Sequence, residues 1–147
     1  MKKILFICHG NICRSTMAEF VFTHLARQAG FEVEVASKAT STEELGNPVH
    51  HGTRRILAEK GIPMWEHYAE QMTRADYDRY DLLIGMDGRN LQNMLRICGG
   101  DPQGKIHLLL DYAGGGDIAD PWYTGNFEPT YRDVTAGCEG LLKHLMK

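Results

Sequence analysis

The chain has 147 residues, 43% of them hydrophobic, which is enough for one domain with a core of its own and leaves no room for a second. A formal net charge of −3 and a pI near 6.1 argue against nucleic acid as a partner, so any basic site has to be local. No apolar run is long enough for a membrane span, and the first is shorter than a signal-peptide core, so neither a membrane protein nor a secreted one is expected.

In chain order, the run Lys3-Ile4-Leu5-Phe6-Ile7 is continuously apolar after its lysine rather than alternating, as expected of a strand buried on both faces of a parallel sheet. After residues 8–15, Met17, Phe20, Val21 and Leu25 recur at helical spacing, with Ser15 read as the N-cap and Glu19 in the first turns. Gly30 stops that helix, and residues 31–35 alternate like a second strand. Residues 37–47, rich in Ser, Thr and Glu, read as a loop. Asn47 and Pro48 look like a helix start, with Val49, Ile56 and Leu57 on its apolar face and Gly61 at its end. His50 and His51 read as a solvated helix start.

Residues 62–70 read as irregular, and Thr73 as the cap of a short helix carrying Tyr77. Residues 81–86 are a third, buried strand, and Asp87 is the N-cap of a helix with Leu91, Met94, Leu95 and Cys98 on one side. Residues 106–110 are a fourth strand. Residues 111–125 hold too many glycines for a regular element and read as a long functional loop. The last helix carries Phe127, Tyr131, Val134, Cys138, Leu141, Leu142 and Leu145, which makes Cys98 and Cys138 core residues. Strands alternating with helices give an α/β fold, a doubly wound four-stranded parallel sheet with helices on both faces.

The stretch that carries chemistry is Cys8-His9-Gly10-Asn11-Ile12-Cys13-Arg14-Ser15, between a buried strand and a helix N-terminus. Successive backbone N–H groups there, with the positive end of the helix dipole, suit a tetrahedral oxyanion. Gly10 and Asn11 are residue types that tolerate a left-handed backbone, and Arg14 offers a planar fork able to grip two phosphate-type oxygens. A helix N-terminus and a nearby arginine both favour the thiolate, so Cys8 is the expected nucleophile. The leaving oxygen then needs a proton, and residues 111–125 offer Asp111, Asp117 and Asp120. Asp120 is favoured because Pro121 stiffens the chain beside it, and Trp122 and Tyr123 supply walls for an aromatic group. Four cysteines without compact spacing suit a reducing cytoplasm, and the absence of Cys-x-x-Cys or His-Glu-x-x-His argues against a zinc site.

The segment of residues 8–15 followed by Met17-Ala18-Glu19, together with Asp120-Pro121-Trp122-Tyr123, resembles the paired motifs of the low-molecular-weight protein-tyrosine phosphatases. The resemblance covers essentially all of residues 1–147 as one domain and implies hydrolysis of protein phosphotyrosine, and of small aryl phosphates, through a cysteinyl-phosphate. It implies Cys8 as nucleophile, Arg14 as phosphate ligand and Asp120 as general acid and later base. It places His9, Gly10, Asn11, Ile12, Cys13 and Ser15 around the phosphate, with Ser15 donating to the thiolate and Asn11, Ser15, Ser37 and His67 forming a network that shapes the loop. Cys13 is either a packing residue or, as the resemblance implies, a partner for a reversible disulfide with Cys8. No cofactor or metal is implied. The expected partner is a phosphotyrosine protein, such as a bacterial tyrosine kinase or its targets, met in the cytoplasm.

The chain departs from that pattern in two places. Thr16 stands where relatives usually have proline, and Glu43 where many have an aromatic residue at the cleft. A carboxylate at position 43 disfavours acidic residues near the phosphotyrosine. Other readings of the same fold are arsenate reduction, which needs a further cysteine pair, and removal of phosphate from arginine, whose enzymes carry threonine where Ile12 stands. A non-catalytic phosphoprotein-binding module would need neither a nucleophile nor Asp120.

Overall fold

The computed structural model describes residues 1–147. Its four strands, β1 (Lys2–Cys8), β2 (Val33–Ala39), β3 (Leu82–Gly85) and β4 (Ile106–Leu108), form one parallel sheet in the order β2-β1-β3-β4. Alternate side chains of β1 go to opposite faces, as the two-residue period of a strand requires. Ile4, Phe6 and Cys8 join a core with Met17, Phe20 and Val21 of α1 (Arg14–Gln28) and Val134, Cys138 and Leu141 of α6 (Phe127–Leu145). Leu5 and Ile7 join a second core with Tyr77 of α3 (Ala75–Arg79) and with Met94 and Cys98 of α4 (Gly88–Cys98). From Ile4 onward β1 is covered on both faces and has no polar side, which explains the uninterrupted apolar run.

All strands end at one edge, where Cys8 pairs with Ala39 and Gly85 pairs with both Ile7 and Leu108. The chain leaves β1 for β2 on one side and has β3 on the other. Such a point of divergence opens a crevice at the strands' carboxyl ends. Two further helices complete the fold, α2 (His51–Glu59) and the single turn α5 (Pro121–Thr124). No helix is long and apolar enough to cross a membrane.

Several expected boundaries move, for local reasons. Helix α1 begins at Arg14 with Cys13 at the cap position, so Ser15 is already inside the helix and its hydroxyl is engaged elsewhere. Strand β2 runs on to Ala39 because β1 pairs with it as far as Cys8, so Ser37 lies on a strand and not in a loop. Helix α2 starts after His50, not at Asn47, since Pro48 is held in a bridge to Tyr68. Arg74 precedes α3, while the Asp76 carboxylate accepts the Thr73 N–H. Strand β4 stops at Leu108 and tightens into a 3-10 turn, Leu109–Tyr112. Residues 111–125 are therefore not wholly irregular, since they hold the end of that turn and all of α5.

Candidate active site

Cys8 ends β1 with its side chain buried, and the next five residues wrap back around it. The wrap depends on Asn11, the one non-glycine residue with positive φ, at 60°. That conformation turns the Asn11 N–H onto Cys8 Sγ at 3.3 Å. Gly10, expected to share the left-handed role, does not have a positive φ. A Cβ there would lie 3.2 Å from Glu44 Cγ, a tight contact with a side chain that is itself only part-buried.

The Asn11 side chain, fully buried, is the hub of a network. Its Oδ1 accepts the backbone N–H of Glu70 at 3.2 Å, which fixes the amide orientation, and so the facing His67 Nε2 at 2.9 Å is the donor of that bond. Its Nδ2 donates to Ser15 Oγ at 2.8 Å and to Ser37 Oγ at 3.0 Å. Ser15 Oγ lies 3.1 Å from Cys8 Sγ. Since Asn11 fills an acceptor site on that hydroxyl, its hydrogen is free to point at a sulfur anion. Beyond Ser37, the buried carboxylate of Glu19 accepts from Ser37 Oγ at 2.6 Å and from Trp65 Nε1 at 2.9 Å. Glu19 and Trp65 were not anticipated in this role. The available signal is the i, i+4 spacing of Ser15 and Glu19, which puts two polar residues on the buried face of α1.

Arg14 is 2% exposed and its guanidinium is anchored by one end. Nη1 donates to Asp87 Oδ2 at 2.7 Å and to the Ile118 carbonyl at 2.8 Å. Nη2 sits 3.4 Å from Asp120 Oδ2, and the buried Nε has no partner. The Nε–Nη2 edge is thus the one left for two oxygens of an anion. Burial disfavours the charge, but Cys8, Asp87 and Asp120 outweigh it and raise the arginine above its ordinary range. Asp87 is the N-cap of α4 as expected, accepting from the Asn90 N–H at 2.8 Å, but its other oxygen holds Arg14, a second function its position after β3 did not disclose. Burial would raise its carboxyl. The hydrogen bonds from Arg14 and from the α4 N–H groups overcome that and hold it below the usual carboxylate range.

Asp120 caps α5 through Oδ1, which accepts the Trp122 N–H at 3.1 Å, while Oδ2 faces Arg14. A single cleft is lined by Cys8, His9, Ile12, Cys13, Asp120, Trp122 and Tyr123, with Glu43 and Glu44 at its rim. Arg14 approaches Asp120 from the neighbouring hollow, which it shares with Asp87 and Arg89. Trp122 and Tyr123 are exposed, at 57% and 79%. Glu43 is 70% exposed and bonded to His9 Nε2 at 2.9 Å. Burial, followed by the charges of Cys8 and Asp120, pushes the Cys13 thiol up to about 12. Ser37 and His67 lie behind the loop rather than in the cleft, joined to it through Asn11.

The sequence model for low molecular weight phosphotyrosine protein phosphatase matches residues 3–147. The chain belongs to that family. Within this phosphatase family, the low molecular weight protein-tyrosine-phosphatase YfkJ of Bacillus subtilis is 40% identical over 152 aligned residues, covering 100% of this chain and 97% of that protein. The crystal structure of YfkJ aligns with a TM-score of 0.95 at 38% identity, over 99% of this chain and 95% of that one. SP-PTP, a low molecular weight protein tyrosine phosphatase from Streptococcus pyogenes, aligns with a TM-score of 0.88 at 40% identity, over 100% and 95%. DARP, a Drosophila arginine phosphatase, shares the fold with a TM-score of 0.90 at 26% identity, over 100% and 99%.

Proposed function

We propose that this phosphatase hydrolyses phosphotyrosine in proteins, and small aryl phosphates, by way of a phosphate carried on Cys8. The observation that carries the reading is the convergence of the Cys8 thiol and the Asp120 carboxyl on one cleft, with Arg14 2% exposed and 3.4 Å from Asp120.

In the first step the Cys8 thiolate attacks phosphorus, the bond to the phenolic oxygen breaks, and protonated Asp120 gives that oxygen its proton. The loop N–H groups and the Nε–Nη2 edge of Arg14 hold the equatorial oxygens while charge shifts between attacking and leaving atoms. In the second step water attacks phosphorus, Asp120 takes its proton, and the P–S bond breaks to release inorganic phosphate. The Asn11 N–H and the Ser15 hydroxyl, at 3.3 and 3.1 Å from Sγ, then stabilise the departing thiolate.

The exposed rings of Trp122 and Tyr123 suit a flat leaving group. Arsenate reduction by electron relay is disfavoured, because Cys98 and Cys138 are buried in separate cores on opposite faces of the sheet. A mere binding module would need no thiol nucleophile facing a carboxyl across the cleft. A thiolate nucleophile works in a reducing compartment, which fits action in the cytoplasm on a tyrosine kinase or its targets.

The test is metal-free hydrolysis of matched phosphotyrosyl and phosphoarginyl peptides by the wild type and Cys8→Ser. Preference for phosphotyrosine, lost with Cys8, supports the reading. Preference for phosphoarginine would replace it, and activity surviving Cys8→Ser would overturn the mechanism.

A further inference from the structure

His50 stands between the loop around Cys8 and the turn that carries Asp120, and no step of the proposed chemistry uses it. It caps α2 with its side chain: Nδ1 accepts the Gly52 N–H at 3.0 Å. That nitrogen therefore carries no hydrogen, and the ring is a neutral imidazole with its hydrogen on Nε2. The His50 backbone N–H donates to the Ile12 carbonyl at 2.9 Å, and Thr53 Oγ1 of the same turn donates to the Cys13 carbonyl at 3.3 Å. The head of α2 is thus tied directly to the limb of the loop that leads into Arg14.

The imidazole stacks on its neighbour His51, centroids 4.3 Å apart, and its other ring contacts run the other way, to the acid segment and the start of α6. It stacks with Phe127, centroids 5.3 Å apart and planes 20° apart, and meets the Trp122 ring edge-on at 5.7 Å and 79°. A Cβ on Gly52 would run into the Phe127 ring, so the glycine is what lets that ring lie against the first turn of α2. Trp122 lies within the one-turn helix α5, and Phe127 opens α6 just after its exit. The backbone N–H of Trp122 is the group that Asp120 Oδ1 caps, so displacing Trp122 displaces the carboxyl with it.

We propose that His50 is a positioning residue for Asp120: its neutral ring, fixed to the phosphate loop through α2, is the post against which Trp122 and Phe127 hold the Asp120 turn at the cleft. The expected arrangement around a neutral ring is present. Trp122 and Phe127 offer only aromatic surface to it, and protonation at Nδ1 would break the bond from Gly52. Burial, together with His51 and Arg54, lowers its proton affinity against the opposing pull of Glu44.

The inference rests on the reading of Asp120 as the general acid, and the experiment separates the two. The kcat and kcat/KM of the wild type, His50→Ala, His50→Phe and Asp120→Asn are compared on an activated dinitrophenyl phosphate, whose phenolate leaves without a proton, and on phenyl phosphate, whose phenolate needs one; kcat/KM reports only the steps up to its departure. His50→Ala is expected to lose about tenfold in kcat/KM on phenyl phosphate with little change in kcat/KM on the activated ester, while kcat, which includes the shared water step, falls on both. Inhibition by inorganic phosphate should be unchanged, and His50→Phe should recover most of the loss. Should His50→Ala fail to fold, His50→Asn keeps the cap acceptor without the ring and should behave as the alanine was expected to. Equal losses of kcat/KM on both esters, or weakened phosphate inhibition, would overturn the proposal by showing a structural role only. If Asp120→Asn itself shows no dependence on the leaving group, the reading of Asp120 falls and this inference with it.

Discussion

Arg14 Nη1 lies 2.7 Å from Asp87 Oδ2, so the side chain expected to hold the phosphate is itself held by the second residue beyond β3. The pair joins the head of α1 to the head of α4 across the crevice in the sheet, and it aims the Nε–Nη2 edge of the guanidinium away from the protein partners of Nη1. Asp87→Asn keeps the α4 cap but removes the charge that anchors Arg14. It should weaken inhibition by inorganic phosphate several-fold and destabilise the fold by about 2 kcal/mol at neutral pH.

The same pair sets an acid limit. Because the Asp87 carboxyl is held below its ordinary range, its contribution is complete above about pH 4 and is lost as the pH falls through its folded-state value. Denaturation midpoints of wild type and Asp87→Asn should therefore differ at pH 7 and converge in stronger acid. A gap that stays constant down to acid pH would contradict the assignment.

Asn11 combines a left-handed backbone with a side chain that bonds four partners, and two substitutions separate these contributions. Asn11→Gly tolerates the φ of 60° and loses the bonds, whereas Asn11→Ala loses both. Both should lower kcat by a similar factor. Asn11→Ala should be the less stable, by about 1 kcal/mol. Equal stability of the two would show that the backbone conformation costs nothing here.

With its thiol pushed up to about 12, Cys13 stays protonated at neutral pH despite lying in the same loop as Cys8. Iodoacetate at pH 7 should alkylate Cys8 alone, and inorganic phosphate should protect it. Label on Cys13 would contradict this. The disulfide implied by family resemblance has its own test, a peptide map after peroxide. A Cys8–Cys13 link would establish it, and sulfonic acid on Cys8 without the link would leave Cys13 a packing residue.

Glu43 stands free at the rim except for His9, at 2.9 Å. Glu43→Gln should raise kcat/KM for peptides with acidic residues beside the phosphotyrosine by about twofold to fivefold, with little change for neutral ones. Equal kinetics for both enzymes would remove Glu43 from specificity.

What could be read from the sequence followed from short-range rules. A strand with both faces covered, a helix N-terminus after Cys8, and an aspartate before Pro121 are each local patterns, so β1, α1 and the Asp120 turn are legible in the residues themselves. The parallel sheet follows from alternating strands and helices, but its order, β2-β1-β3-β4, does not. The misplaced features depend on partners distant in the chain. Ser15 looks like a cap because its hydroxyl follows Arg14, but the hydroxyl belongs to Asn11 and Cys8. Ser37 looks like a loop residue because nothing local shows how far β1 pairs with β2. Asp87 holds Arg14 and His50 meets Trp122 across separations of about seventy residues, and no sequence period spans such a gap.

The central claim is that phosphate passes through Cys8. The most direct measurement is an acid quench of wild-type enzyme during turnover of an aryl phosphate, followed by peptide mapping. The account predicts phosphate on the peptide that carries Cys8, accumulating further in Asp120→Asn where water is no longer activated. Turnover with no phosphorylated peptide, or with phosphate on another residue, would contradict it.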